Sequence, residues 1–222
     1  MNRTKIEWTD YTWNPITGCR NNCSYCYARK MAYRLRGRYG YPSENPFEPT
    51  FHADKLADPL KVKKPSRIGL CFMGDFFDKQ VKPSWQTQVY DMVYEAYWHK
   101  FLTLTKQPQN ISHGVHFYSN FAIGVSVNRV VDLWRIDALR EIDVDVKVVS
   151  VEPLYEDLGE INLKDIDWVI VGAQTRPYFR PKFEWLANIF DATADLRIPL
   201  FTKNNLNLKR VVQQYPSLWK GR

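Results

Sequence analysis

Short apolar runs alternate with amphipathic segments along most of this 222-residue chain. The runs are Ile68–Phe72, Phe101–Leu104, Phe121–Val127, Val146–Val151, Trp168–Val171 and Ile198–Phe201. Each has the length of a buried strand, and several are rich in β-branched residues, which suit a pleated surface. Trp168–Val171 is apolar without a break, as a strand covered on both faces requires, whereas Lys147 and Ser150 interrupt Val146–Val151. The segments between them carry a helical stripe. In Trp85–Trp98 the apolar residues Val89, Met92, Val93, Ala96 and Tyr97 share one face. Val130–Leu139 and Trp185–Ala194 repeat that pattern, and Tyr27–Arg36 also reads as a helix. Asn128 is expected to cap Val130–Leu139, and Asn204 or Asn205 a last helix running through Val212.

Strand–helix alternation implies parallel strands joined by crossover helices. A first strand at Tyr11–Ile16 brings the total to six or seven βα units, too few for an eight-fold barrel. The expected fold is therefore α/β, a partial (βα)6-type barrel of parallel strands forming one domain over residues 1–222. An open doubly wound sheet is the alternative. Residues 37–67 depart from the alternation, with Pro42, Pro46, Pro49, Pro59 and Pro65 beside Gly37 and Gly40. They read as an irregular insertion with a short helix near Ala53–Ala57. A connection of that length usually has a task, so a lid, a substrate-binding insertion and packing across the barrel base are the readings open.

The composition, 45% hydrophobic and 15% aromatic, excludes a disordered chain. No apolar stretch is long enough to cross a bilayer, and Met1 to Asp10 lacks an apolar signal core, so a cytoplasmic protein without membrane contact is expected. The net charge of +7 favours an acidic partner such as nucleic acid or a phosphorylated small molecule. Basic residues gather at Arg29, Lys30, Arg34, Arg36 and Arg38, and again at Lys61, Lys63, Lys64 and Arg67.

Of the four cysteines, Cys19, Cys23 and Cys26 stand together in the spacing C-x3-C-x2-C, and Cys71 lies apart inside an apolar run. In a reducing compartment such a group reads as a ligand set rather than a disulfide framework. Thiolates suit zinc and iron–sulfur clusters. A structural zinc site normally closes with four protein ligands, and here the local set stops at three. His52, His99, His113 and His116 are remote and none stands at zinc-knuckle spacing. Three cysteines on a four-iron cluster leave one iron open to an outside ligand. A structural metal staple without chemistry is the plainer reading of the same residues.

The segment resembles the C-x3-C-x-Φ-C signature of the radical S-adenosylmethionine (SAM) superfamily, with Tyr25 in the aromatic position. The resemblance implies a [4Fe-4S] cluster on Cys19, Cys23 and Cys26 and SAM chelating the fourth iron. It implies reductive cleavage of SAM to a 5′-deoxyadenosyl radical that abstracts hydrogen, and an electron donor such as flavodoxin or ferredoxin. It also implies a partial (βα)6 barrel, in agreement with the alternation. Lys5-Ile6-Glu7-Trp8-Thr9, Thr12-Trp13-Asn14-Pro15, Glu152-Pro153-Leu154 and Val171-Gly172 further resemble an uncharacterised, phage-associated family with the same three-cysteine motif, over almost the whole length.

Working residues in such barrels come from the C-terminal ends of strands. Those ends hold Gly74 and Asp75, Thr105 and Lys106, Ser126 and Asn128, Ser150 and Glu152, Gln174 and Arg176, and Thr202, Lys203 and Asn204. Met73-Gly74-Asp75 occupies the place of the superfamily's Gly-Gly-Glu turn, which binds the SAM amino group; the first glycine is replaced and the acid is one carbon shorter. By the same resemblance Tyr25, Ser126, Asn128 and Glu152 are expected at the cofactor, the two in the middle at its ribose. No G-x-I-x-G-x-x-E pattern for adenine is present. Lys106, Arg176, Arg180 and Lys203 are expected to converge on one mouth and hold an anionic substrate, with Lys203, Arg176 and Glu152 as catalytic candidates. Each of these polar residues also has a plain reading, as a helix cap or a solvated rim, and Cys71 reads as a small core residue.

The resulting expectation is a radical SAM enzyme acting on a nucleic-acid base, a nucleotide or another anionic metabolite. A nucleic-acid-binding protein with a structural metal is the alternative from another class. An electron-transfer protein would need a fourth cluster ligand nearby, which the sequence does not offer.

Overall fold

A computed structural model describes residues 1–112, 114 and 116–220, so His113 lies outside the described residues. All of Trp168–Val171 is buried, and this strand lies inside an eight-stranded sheet. In chain order the strands are β1 Asn2–Arg3, β2 Tyr11–Trp13, β3 Ile16–Thr17, β4 Thr50–Phe51, β5 Arg67–Leu70, β6 Lys100–Thr105, β7 Phe121–Ser126, β8 Lys147–Val151, β9 Trp168–Val171, β10 Gln174–Thr175, β11 Tyr178–Phe179 and β12 Leu200–Thr202. The helices are α1 Tyr27–Arg34, α2 Pro83–Glu95, α3 Trp134–Arg140 and α4 Phe183–Asp195. The main sheet runs β1-β2-β5-β6-β7-β8-β9-β12. Only β1 is antiparallel to its neighbour; every other pairing, from β2 with β5 to β9 with β12, is parallel.

The two faces of the sheet are covered differently, and this separates a barrel from a doubly wound sheet. One face presents Phe101, Ile123, Val149, Val169 and Val171 to Val89 and Val93 of α2, Ile136 and Leu139 of α3, and Leu186 and Ile189 of α4. The other face presents Leu102, Ala122, Val148, Ile170 and Phe201, and none of the helices α1 to α4 contributes to its buried cluster. It is filled by Trp8, Trp168 and Trp219 with Phe72 and Tyr215 packed alongside. Trp8 and Trp168 meet edge to face at 5.9 Å, a preferred aromatic geometry. Glu7, from the loop between β1 and β2, accepts hydrogen bonds from Asn204 N at 3.0 Å and Gln213 Nε2 at 3.1 Å, beyond β12. The two edges of the sheet are thereby linked, and the architecture is the expected partial barrel.

Local differences from the sequence reading have local causes. The expected strand Tyr11–Ile16 divides, because the chain leaves the main sheet after Trp13 and Ile16–Thr17 pairs antiparallel with Thr50–Phe51. The last strand begins at Leu200, since Ile198 N still donates to Thr193 O at 2.8 Å in the cap of α4. Val130–Leu139 is a 3-10 turn over Val130–Asp132 followed by α3. Asn128 does not cap it. The Asp132 carboxylate does, accepting from Asn128 N at 3.0 Å and Arg129 N at 3.1 Å. Near Ala53–Ala57 only Ala53–Lys55 forms a turn of 3-10 helix. The expected helix through Val212 is absent. A 3-10 turn at Asn204–Leu206 ends at Asn207 with φ of 51°, and the chain then runs back along β12, Thr202 N donating to Val212 O at 2.7 Å. No described helix is long and apolar enough to cross a membrane.

Candidate metal centre at the strand ends

The cysteine loop, residues 19–26, joins β3 to α1 and is set in place by two glycines. Gly18 has φ of +84°, and a β-carbon on it would lie 2.3 Å from Glu48 O. A β-carbon on Gly74 would lie 2.5 Å from Gly18 O. Only glycine permits so close an approach of two backbones. The two segments bond directly, Gly18 N to Met73 O at 2.9 Å and Asp75 N to Gly18 O at 3.3 Å. The loop ends as Cys26 caps α1, its Sγ accepting from Arg29 N at 3.3 Å. The 37–67 insertion backs this loop: Cys19 N donates to Phe47 O at 3.2 Å, and Tyr41 and Phe47 pack with Cys19, Ala28 and Ala32. Met73, Cys26 and Leu35 complete that small apolar cluster.

Two buried carboxylates lie on the other side of the loop. Asp75, 3% exposed, accepts from Thr105 Oγ1 at 2.7 Å, Asn21 Nδ2 at 2.8 Å, Lys106 N at 3.0 Å and Phe77 N at 3.0 Å. A carboxylate has about four acceptor positions, so these four donors take up its capacity. Burial raises the Asp75 pKa, and the four hydrogen bonds oppose that rise. Asp78 accepts from Arg20 N at 2.8 Å and Gln107 Nε2 at 2.9 Å. Gln107 Nε2 also reaches Asn21 Oδ1 at 2.8 Å. The loop after β5 and the end of β6 thus hold Arg20 and Asn21, between the first two cysteines.

The remaining strand ends form two further groups. Asn128 Oδ1 accepts from Tyr25 Oη at 2.8 Å and from Lys106 Nζ, while its Nδ2 donates to Pro153 O at 2.7 Å. The Lys106 ammonium stands 5.7 Å from the centre of the Tyr25 ring. Burial lowers the Lys106 pKa and raises that of Tyr25, and the proximity of Cys23 raises both. Lys203 and Glu152, expected as separate candidates, form one ion pair across the ends of β12 and β8. Glu152 lies over Gly172, where a β-carbon would meet its Cδ at 2.8 Å. Ser126 ends β7 beside Ser150 and gives its carbonyl to Arg135 Nη1 at 2.7 Å. Arg176 is exposed between β10 and β11, and Arg180 donates to Asn207 O at 3.2 Å. Two of the four expected cations, Lys106 and Lys203, are therefore held by partners at the strand ends, and Arg180 bonds the C-terminal segment.

All three cysteines of the loop are free thiols. Burial pushes the Cys19 thiol up to about 12, against a backbone hydrogen bond from Asn21; Asp75, Cys26 and Cys23 add to the rise. Burial also raises Cys26, opposed first by its hydrogen bond from the Arg29 backbone. Among the described residues, no group of three His, Cys, Asp or Glu side chains is arranged around a single metal ion. His52 Nε2 is 2.7 Å from Thr17 Oγ1, His99 bonds Ser66 N at 3.1 Å, and His116 pairs with Asp143 at 3.0 Å. The donor set is three soft thiols on one loop, with backbone N–H groups aimed at two of the sulfurs and an apolar wall behind. That chemistry fits an iron–sulfur cluster, whose properties depend on such hydrogen bonds and shielding. Cys71 packs in the main core with Trp13 and Ile16.

Several residues of this arrangement carry no signal strong enough to be read in advance. Asn21 and Gln107 meet across a long sequence separation, and Gln107 then reaches Asp78, which the strand-end reading does place beyond β5. Tyr155, whose ring centre lies 5.7 Å from that of Tyr25, stands in an ordinary loop sequence. Gly18 carries the one local signal among them, since a glycine beside the first cysteine allows positive φ and a close backbone approach.

Two solved structures share the fold. Spore photoproduct lyase complexed with dinucleoside spore photoproduct has a TM-score of 0.57 at 13% identity, over 87% of this chain and 63% of that one. A cysteine-to-serine mutant of spore photoproduct lyase has a TM-score of 0.56 with the same identity and coverage. This chain thus spans less than two thirds of the length of those proteins. No curated protein matches the sequence at a significant level. A family model described as a protein of unknown function, DUF5131, matches residues 3–215, and the chain belongs to that family.

Proposed function

We propose that this protein is a radical SAM enzyme whose substrate is a nucleic acid or nucleotide, its single domain spanning residues 1–222. The observation that carries the proposal is the placing of three free thiols on one glycine-anchored loop at the C-terminal ends of parallel strands. The fold likeness to spore photoproduct lyase, a radical SAM enzyme, supports it, as does the net charge of +7.

Cys19, Cys23 and Cys26 would hold a [4Fe-4S] cluster, with SAM at the iron they leave open. When bound, this pair supplies an electron and a hydrogen-abstracting radical, given a donor such as flavodoxin or ferredoxin. The protein's residues orient and shield. Asp75 and Asp78 fix the loop through Asn21 and Arg20. Because its four acceptor positions are filled, Asp75 serves the loop, and Glu152 is the carboxylate left facing the mouth, with Lys203 as counterion. Tyr25, Lys106 and Asn128 form a second polar group, with Ser126 ending the same strand that leads to Asn128. Met73, Tyr41 and Phe47 pack with Cys19 and Cys26 and would shield those two thiols. Arg176 and Arg180 lie outside this group and would meet only an extended substrate.

Reductive cleavage of SAM tests the proposal. The reconstituted, reduced protein is expected to release 5′-deoxyadenosine, and Cys23→Ala is expected to release none. Equal release by both would overturn it.

A further inference from the structure

The first basic group of the sequence starts just after the third cysteine, and apart from the Arg29 backbone it has no part in the arrangement above. Between Asp10 and Glu44 the chain has no acidic residue, and it carries Arg20, Arg29, Lys30, Arg34, Arg36 and Arg38. α1 buries only Ala28 and Ala32, one turn apart, and lays Arg29 over the Phe47 ring, so the remaining surface faces solvent. Three tyrosines interleave with the cations there: Tyr27, Tyr33 and Tyr39 are 58%, 45% and 74% exposed. The Arg36 guanidinium lies 5.3 Å from the Tyr33 ring centre, and Arg38 Nη2 donates to Arg34 O at 2.6 Å. Gly37 N bonds Tyr41 O at 3.0 Å and Tyr41 N bonds Arg38 O at 3.0 Å, so a closed turn presents Tyr39 outward. At the other end Tyr27 Oη donates to Phe72 O at 3.0 Å, beside the loop that carries Gly74.

We infer that this face, from Tyr27 to Tyr39, binds single-stranded nucleic acid and leads it to the strand ends. The inference rests on the proposed function and names the surface that delivers its substrate. An acid-free row of arginines attracts a polyanion, and arginine matches phosphate geometry. Exposed tyrosines between the cations add stacking faces for unpaired bases, which a duplex does not offer. The second basic group differs in this respect: Lys61 is paired with Asp58, Asp54 stands nearby in sequence, and Arg67 is paired with Asp10.

The test is fluorescence anisotropy of the reconstituted protein with labelled single-stranded DNA, single-stranded RNA and duplex, each over a salt series. Replacing Arg34, Arg36 and Arg38 by alanine is expected to make the single-strand salt slope shallower by roughly 2, at about 0.7 per lost phosphate contact. Replacing Lys61, Lys63 and Lys64 removes the same charge and is expected to leave the slope unchanged. The double change Tyr33→Leu and Tyr39→Leu is expected to weaken single-strand binding about tenfold and keep the slope. Circular dichroism checks that each variant is folded. Equal losses in both triple variants, or a preference for duplex that ignores the tyrosines, would overturn the inference. A failed patch with iron and the SAM response intact removes this inference alone. Intact patch binding without a cluster removes the proposed function alone.

Discussion

Gly74 lies so close to Gly18 that a β-carbon added to it would fall 2.5 Å from the Gly18 carbonyl oxygen and 2.8 Å from its nitrogen. The obstacle is backbone, which cannot swing aside as a side chain can. Gly74→Ala is therefore expected to push the cysteine loop off the loop after β5, at about 1–3 kcal/mol. Thermal unfolding of the iron-free protein gives the stability change, and iron per chain after reconstitution gives the effect on the loop. Wild-type values for both would show that the contact is not needed.

Asp75 gathers four donors at a fully buried position. Replacing it by alanine strands those donors, and the expected cost is roughly 3 kcal/mol or more, as an unpaired buried donor costs about 1–3. Urea unfolding measures it. If the side chain instead served mainly to bind SAM, Asp75→Ala would retain stability and lose only the response to SAM.

His52 is buried against Thr17, one residue before Gly18. Burial lowers its pKa to about 4 from an ordinary 6.5. In the unfolded chain it binds a proton below about 6.5, and in the folded chain only near 4, so the unfolded state binds more protons between these values. Stability therefore falls as pH drops through that window, by up to roughly 3 kcal/mol. Unfolding at a series of pH values should show this slope, and His52→Gln should flatten it.

Tyr25→Phe removes one of two donors to Asn128 and leaves Lys106 in place. The cysteines are untouched, so iron content should stay near wild type. The affinity for SAM is expected to fall several-fold, about 1 kcal/mol for a lost hydrogen bond. Isothermal titration of the reconstituted protein measures the change, and an unaltered affinity would separate this group from the cofactor.

The strands were legible because their runs are short and apolar, and Trp168–Val171 lies where the pattern puts it. The barrel followed from alternation, and the one-sided helix layer of the structure agrees with it. The three cysteines were legible as a group because their spacing is close, and the structure keeps them on the one loop between β3 and α1. Pairings between distant residues were not. Nothing local marks Asn21 and Gln107 as partners, or shows that Lys203 would meet Glu152 rather than stand alone. Asn128 illustrates the limit: its side chain turned inward to Tyr25, and Asp132 took the capping role expected of it. The tail after Asn205 failed as a helix because pairing with β12 outweighs a weak local preference.

The central claim is that three cysteines hold a four-iron cluster with one iron open to SAM. Anaerobic reconstitution followed by iron, sulfide and zinc analysis, with EPR of the reduced protein before and after adding SAM, tests it most directly. The account predicts about four irons per chain, as such a cluster requires, and a spectrum that changes when SAM is added. Stoichiometric zinc, or a cluster whose spectrum ignores SAM, would contradict it.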